Sequence, residues 1–220
     1  MKKMIIAGLL MVFFVFAAYS QNGVISEFTG DVTLKPAGSS DFIPVTAGSV
    51  VAQDTVVSTG FRSTAVITIG TNTINVRPLT RLLLSEIQSS ANTEEIKVNL
   101  QAGRVRVDVN PPAGTKANFA VQGPSSTASV RGTSFEVDAR NLQVIEGKVI
   151  YAGSNGFSSA VSAGASGAIA DGGSAKDPVE ILISELTPSA PVGAGMSGET
   201  ISPNIFVSST SGNVVITPGW

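Results

Sequence analysis

Cysteine and histidine are both absent from the 220 residues. Without cysteine there is no disulfide framework, no thiolate nucleophile and no zinc ribbon, and no lipid-modified cysteine can anchor an exported N-terminus. Without histidine, Ser–His–Asp and Cys–His arrangements cannot be built, and neither can imidazole metal sites. Charge is scarce too: charged residues make up 14% of the chain, with a formal net charge of −2 and no basic block. The electrostatic footprint of a nucleic-acid binder is therefore missing, as is a polybasic membrane-surface patch. Aromatics are 6% of the chain, too few for the girdles of an outer-membrane barrel, although Trp220 stands where such barrels carry an assembly signal. The glycines form no P-loop and no dinucleotide fingerprint, and no Gly-x-Ser-x-Gly elbow or Ser-x-x-Lys block is present.

What is present is 43% hydrophobic residues with 23 Gly and 11 Pro. Such a chain can bury a core, and it favours strands and tight turns over long solvated helices. Only the N-terminus has a long apolar run. Lys2-Lys3 precedes Met4–Ala18, and Ala18-Tyr19-Ser20 fits the small-x-small cleavage rule, so residues 1–20 read as a signal peptide. The run is shorter than the ~20 residues of a spanning helix, and an uncleaved anchor is the alternative. Cleavage after Ser20 removes Lys2 and Lys3 and takes the formal charge from −2 to −4. The product is expected outside the cytoplasm, in the periplasm, or else secreted or surface-attached, with no transmembrane anchor after cleavage.

From Val24 to about Tyr151 short apolar alternations are broken by Gly, Pro, Asn and Ser. Val105, Val107 and Val109 alternate with Arg104, Arg106 and Asp108; Ile96, Val98 and Leu100 with Lys97, Asn99 and Gln101; Phe135 and Val137 with Glu136 and Asp138. Period two puts each apolar set on one face of a strand. Ala65, Ile67 and Ile69 lead through Gly70-Thr71-Asn72 to Ile74 and Val76, a hairpin pattern. No helical pattern separates these strands, which excludes a βαβ parallel sheet, and no strict repeat supports a regular β-helix. The expected fold is all-β: an irregular, wound sandwich, roll or solenoid-like body of short strands with one short C-terminal helix. The helix is placed at 178–186, where Asp177-Pro178 opens Val179, Leu182, Ile183 and Leu186 at helical spacing and Pro188 stops it. The domain reading is residues 1–20 signal peptide, 21–175 all-β domain, and 176–220 helix plus Gly/Ser/Pro-rich tail. A last strand is expected near Ser166–Ala170, and a late hairpin from Ile205-Phe206-Val207 and Val214-Val215-Ile216.

Several blocks in order resemble the FecR family domain. They include Gly30-Asp31-Val32, Asp54–Gly60, Ile74–Pro78, Val98–Val105 and Phe119–Pro124. The most specific is Val130-Arg131-Gly132-Thr133-Ser134-Phe135-Glu136-Val137, followed by Ile145-Glu146-Gly147-Lys148-Val149. The resemblance covers roughly residues 24–151 and implies an all-β extracytoplasmic domain. The family's namesakes are inner-membrane regulators that relay a signal to a cytoplasmic sigma factor, with a sigma-binding segment ahead of an internal membrane helix. Here the hydrophobic segment sits at the extreme N-terminus, so the resemblance is expected to transfer the domain and not the circuit.

No residue is assigned a catalytic, cofactor-binding or metal role. Glu94-Glu95 reads as part of a solvated loop, Glu136 and Asp138 as like charges on one exposed face, and Asp31, Asp41 and Asp54 lack calcium-loop spacing. The motif residues Arg131, Gly132, Thr133, Phe135, Val137, Glu146 and Gly147 are expected to be structural. Gly132 serves a turn or close approach, Gly103 and Gly147 sit in tight turns, and Arg131 pairs with Glu136 or Glu146, a ligand role for Arg131 being the alternative. The functional expectation is an exported, non-enzymatic module that binds an envelope protein through a β surface or sheet edge, with the tail as a further docking element. The alternatives are a peptidoglycan- or carbohydrate-binding module, for which Tyr151, Phe157 and Trp220 are the available aromatics, and a periplasmic signalling component working with a separate membrane regulator. The partner is thus an unnamed envelope protein or cell-wall polymer, with no nucleic acid and no cofactor.

Overall fold

The computed structural model describes residues 21–90 and 93–176, Pro178, Ile181, and residues 208–210 and 213–215. The chain divides into two compact units, residues 1–186 and 187–220. In chain order the strands of the first unit are β1 (Gly23–Thr29), β2 (Val32–Lys35), β3 (Ile43–Pro44), β4 (Val50–Val51), β5 (Thr55–Thr59), β6 (Thr64–Ile69), β7 (Asn72–Val76), β8 (Arg81–Ser90) and β9 (Thr93–Ala102). They continue with β10 (Arg104–Asp108), β11 (Lys116–Gln122), β12 (Ser126–Val130), β13 (Ser134–Asp138), β14 (Asn141–Glu146), β15 (Lys148–Gly153), β16 (Ser158–Ser162) and β17 (Ser166–Ala168).

These strands form two sheets. One has eight strands in the order β17-β14-β13-β10-β7-β6-β1-β4, and the other nine in the order β16-β15-β12-β11-β9-β8-β5-β2-β3. The chain winds between the sheets every one or two strands. Pairing is antiparallel except for β9 with β11. The expected all-β, wound architecture is what is observed. The alternating valines, isoleucines and leucines of both sheets meet in one apolar cluster. Val105 and Val107 of β10 are fully buried, as are Phe135 of β13 and Ile74 of β7 on the eight-stranded side. Leu82, Ile96, Leu100 and Phe119 face them from the nine-stranded side, each at most 2% exposed.

Two local features follow from sequence chemistry. β6 and β7 pair as the expected hairpin, Ile69 opposite Asn72. In β8 the buried set changes phase from Leu82 and Leu84 to Ile87, because the ladder with β9 slips between Leu84 and Glu86. A bulge adds one residue to one strand, so alternation resumes with opposite parity.

The Gly/Ser/Ala-rich stretch after Gly153 supplies β16 and β17, the latter within the expected Ser166–Ala170. Pro178 and Ile181 are helical; the rest of the helix expected at 178–186 lies outside the described residues. In the second unit β18 (Ser208–Thr210) pairs with β19 (Asn213–Val215). The late hairpin is thus present with its first arm at 208–210, while Ile205–Val207, Ile216 and Trp220 lie outside the described residues. No helix among the described residues is long and apolar enough to cross a membrane.

Candidate interaction surface

The motif residues gather where the chain crosses between sheets. Arg131-Gly132-Thr133 carries it from β12 to β13, and Glu146-Gly147 carries it back from β14 to β15. Gly132 has φ +67°, and a Cβ there would meet nothing closer than 3.5 Å, so conformation alone requires glycine. Gly147 has φ +84°, and a Cβ there would lie 3.0 Å from the Gly132 carbonyl oxygen and 3.1 Å from Thr133 Oγ1. The two turns therefore stack on each other. Thr133, 3% exposed, donates from its hydroxyl to the Lys148 carbonyl at 3.2 Å. Its own carbonyl accepts from the Val109 N–H at 3.0 Å. Phe135 and Val137 anchor the crossing in the core.

Arg131 does not pair with Glu136 or Glu146. It follows β12 directly, on the outer face of the nine-stranded sheet, where its Nε donates to Asn118 Oδ1 at 3.1 Å. Glu136 lies on the outer face of the other sheet and accepts from Arg77 at 2.9 Å and Arg104 at 3.4 Å. Glu146 is exposed.

Arg131, Gly132 and Gly147 line an open trough of about 780 Å³ together with Glu95, Lys97, Asn118, Ala120, Ser129, Lys148 and Ile150. Register explains its shape. Lys97, Ala120, Ser129, Ile150 and Ala160 stand opposite one another across β9, β11, β12, β15 and β16. The small Ala120 and Ser129 form the floor, with Lys97 on one wall and Ile150, 46% exposed, on the other. Lys97 Nζ lies 2.7 Å from Glu86 and 2.8 Å from Glu95. The Glu86 carboxylate, and after it Glu95, hold the ammonium well above the usual lysine range. Lys148 and Arg131 have no ion pair among the described residues, so the trough keeps positive charge on its β15 side.

Glu94 is no solvated loop residue: it lies in β9, 7% exposed, and accepts from Gln21 Nε2 at 3.1 Å and from the fully buried Asn72 Nδ2 at 3.0 Å. Glu95, next in the strand, faces outward as alternation demands. Glu136 and Asp138 do share a face, but both are held by arginines. Among the described residues no three acidic side chains are grouped to hold a metal. Tyr151, named above as an available aromatic, is fully buried and presents no ring for a ligand to stack on. Burial pushes its hydroxyl up, with Ser126 beside it pulling the other way. Phe157 is 69% exposed at the start of β16.

With this geometry in place, comparison with known proteins gives a family for the central stretch. Residues 55–150 match the model of the FecR protein family. No curated protein matches the sequence. Two crystal structures of a proposed anti-sigma factor from Parabacteroides distasonis ATCC 8503 are similar at 14% and 15% identity and a TM-score of 0.45. The likeness spans 58% of this chain and 62% of theirs.

Proposed function

We propose that this chain is an exported, non-enzymatic FecR-family module that binds another protein of the cell envelope, docking through the trough and the adjoining β16 edge. The FecR match supports a setting in signal transduction. The observation that carries the reading is the contrast in how surface groups are used. On the outer face of the eight-stranded sheet Arg77, Arg104 and Arg106 are paired with Glu136, Asp138 and Asp108, while Arg131 and Lys148 flank an apolar wall beside a sheet edge that no described strand pairs. A catalytic reading lacks support in the carboxylates: Glu136 and Asp138 are tied to arginines, and Glu94 to two amides. The wall-polymer reading loses Tyr151, whose side chain is fully buried in the core.

The test is capture from envelope extract by residues 21–220, beside the Arg131→Glu/Lys148→Glu double variant, with purified cell-wall polymer in parallel. Saturable capture of one protein, competed by the free module and lost in the double variant, is expected. Retention on polymer alone, indifferent to the double variant, would overturn the reading.

A further inference from the structure

The four sheet edges are not alike. β3 and β4 have two residues each, β3 containing Pro44, and β17 has three with Gly167 at its centre. These are short or interrupted edges of the kind that resist further pairing. β16 has five residues, Ser158-Ser159-Ala160-Val161-Ser162, with no charge and no proline, and nothing among the described residues pairs with its outer side.

The phase of that edge can be read from its ends. The Gly153 N–H donates to the Phe157 carbonyl at 2.9 Å, and the Ala163 N–H donates to the Gly147 carbonyl at 2.9 Å. Alternation in an antiparallel pair then turns Phe157, Ser159, Val161 and Ala163 toward β15. The N–H and C=O of Ser158 and Ala160 point away from the sheet. The Val161 side chain is fully buried, while those of Ser158, Ala160 and Ser162 lie exposed on the outer face. Just inside them stand Ile150, opposite Ala160, and Lys148, opposite Ser162.

We infer that β16 takes up an extended partner segment as a tenth strand, and that this segment carries an apolar residue and, two residues along on the same face, an acidic one. The inference rests on the reading of the chain as a protein-binding module and names the chemistry of its partner. A strand added to β16 lies two strand spacings, roughly 10 Å, from β15. Ala160 and Ser162 are too small to screen that gap. An apolar side chain over Ala160 reaches Ile150, and a carboxylate over Ser162 meets Lys148, with Arg131 beyond it across the trough. Glu95 cannot neutralise that charge, because Lys97 already holds it. A second copy of this chain fits less well. Two β16 strands paired head to tail bring only serine, alanine and valine to the edge, and no carboxylate reaches Lys148.

The experiment is fluorescence-polarisation binding of dye-labelled threonine-rich peptides to residues 21–220. One peptide carries Val and Glu two residues apart, and the control has Lys in place of Glu. The Glu peptide is expected to bind about tenfold more tightly than the Lys peptide. Lys148→Glu should erase or invert that preference. Ala160→Pro, which removes an outward N–H, and Ala160→Lys, which keeps the backbone and blocks the edge by charge, should each weaken the Glu peptide by about tenfold or more. Equal binding of the two peptides, a preference unchanged in Lys148→Glu, or binding unchanged in both Ala160 variants overturns the inference. So does an Ala160-dependent dimer of the protein, which would make a second copy the occupant. If neither peptide binds while envelope capture persists, the inference falls and the module reading stands. If capture is also lost, the reading itself falls.

Discussion

The outer faces of the two sheets use charge in opposite ways. On the eight-stranded sheet Arg104 of β10 stands opposite Asp138 of β13, and Arg106 opposite Glu136. Arg104 bridges Glu136 and Asp138, Arg77 joins from beyond β7, and Asp108 takes Arg106 at 3.5 Å and Asn75 at 3.4 Å. Ile181 further lines a recess of about 300 Å³ on this face with Gln143 and Ser166. On the nine-stranded sheet one cluster, Lys97 with Glu86 and Glu95, is similarly closed, but Arg131 and Lys148 are left beside alanines, serines and Ile150. A surface whose charges answer one another gains little from a partner. A surface that leaves cations beside apolar area gains both ion pairing and burial. On the proposed function, the difference separates a face that serves the fold from the face that meets the partner.

That separation holds only if both sheets contribute equally to one core, and the largest expected effect tests this. Phe119 of β11 and Phe135 of β13 are buried from opposite sides of the same cluster. Phe119→Ala and Phe135→Ala should each destabilise by about 3–5 kcal/mol, read by urea denaturation. A markedly cheaper loss at Phe119 would mean that the nine-stranded sheet is the softer layer, and its outer face would then be shaped by that softness rather than by recognition.

Much of this was legible in the sequence because period-two alternation records burial directly. The valines of β10, the Phe135/Val137 pair and the Ile96/Val98/Leu100 set all face the core. The left-handed turns at Gly132 and Gly147 were legible for a similar reason, since glycine before a strand marks a backbone that other residues resist. What escaped depends on contacts distant in sequence. Glu94 looked solvated beside Glu95, yet its partners Gln21 and Asn72 lie 73 and 22 residues away. Arg131 has acids near it in sequence, but the chain changes sheets at Gly132, which puts Glu136 on the outer face of the other sheet, and Arg131 turns to Asn118 instead. Tyr151 shares parity with Val149, a signal of burial that its aromatic character obscured. The open edge at β16 is a property of strand order, which alternation does not encode.

The two faces should also respond differently when a charge is removed. Glu136 is 21% exposed and accepts from two arginines that are 44% and 54% exposed, so solvent screens the gain. Glu136→Gln is expected to cost about 1 kcal/mol. Lys148→Met, on the proposed recognition face, removes no ion pair among the described residues and should change stability by less than about 0.5 kcal/mol. Paired thermal melts check both. A loss at Lys148 equal to that at Glu136 would show that Lys148 already serves the fold, and the comparison would break.

The smallest effect, and the sharpest in sign, concerns acid. Burial alone would raise the Asp138 carboxyl. The N–H groups of Arg140 and Asn141, the Asn141 amide and the Arg104 guanidinium outweigh burial and hold it below the ordinary value of 3.8. Its unfolded form binds a proton more readily, so its contribution is present above that ordinary value and is lost as pH falls through the lower folded one. Asp138→Asn should therefore lower stability slightly at neutral pH and make the further loss between about pH 4 and pH 2 shallower. Lys148→Met, which leaves every described carboxylate pair intact, should keep the wild-type acid slope. Thermal melts across that range decide the matter. A slope unchanged in Asp138→Asn would mean that the N–H groups of Arg140 and Asn141, the Asn141 amide and Arg104 together do not favour the charged carboxylate in the folded protein.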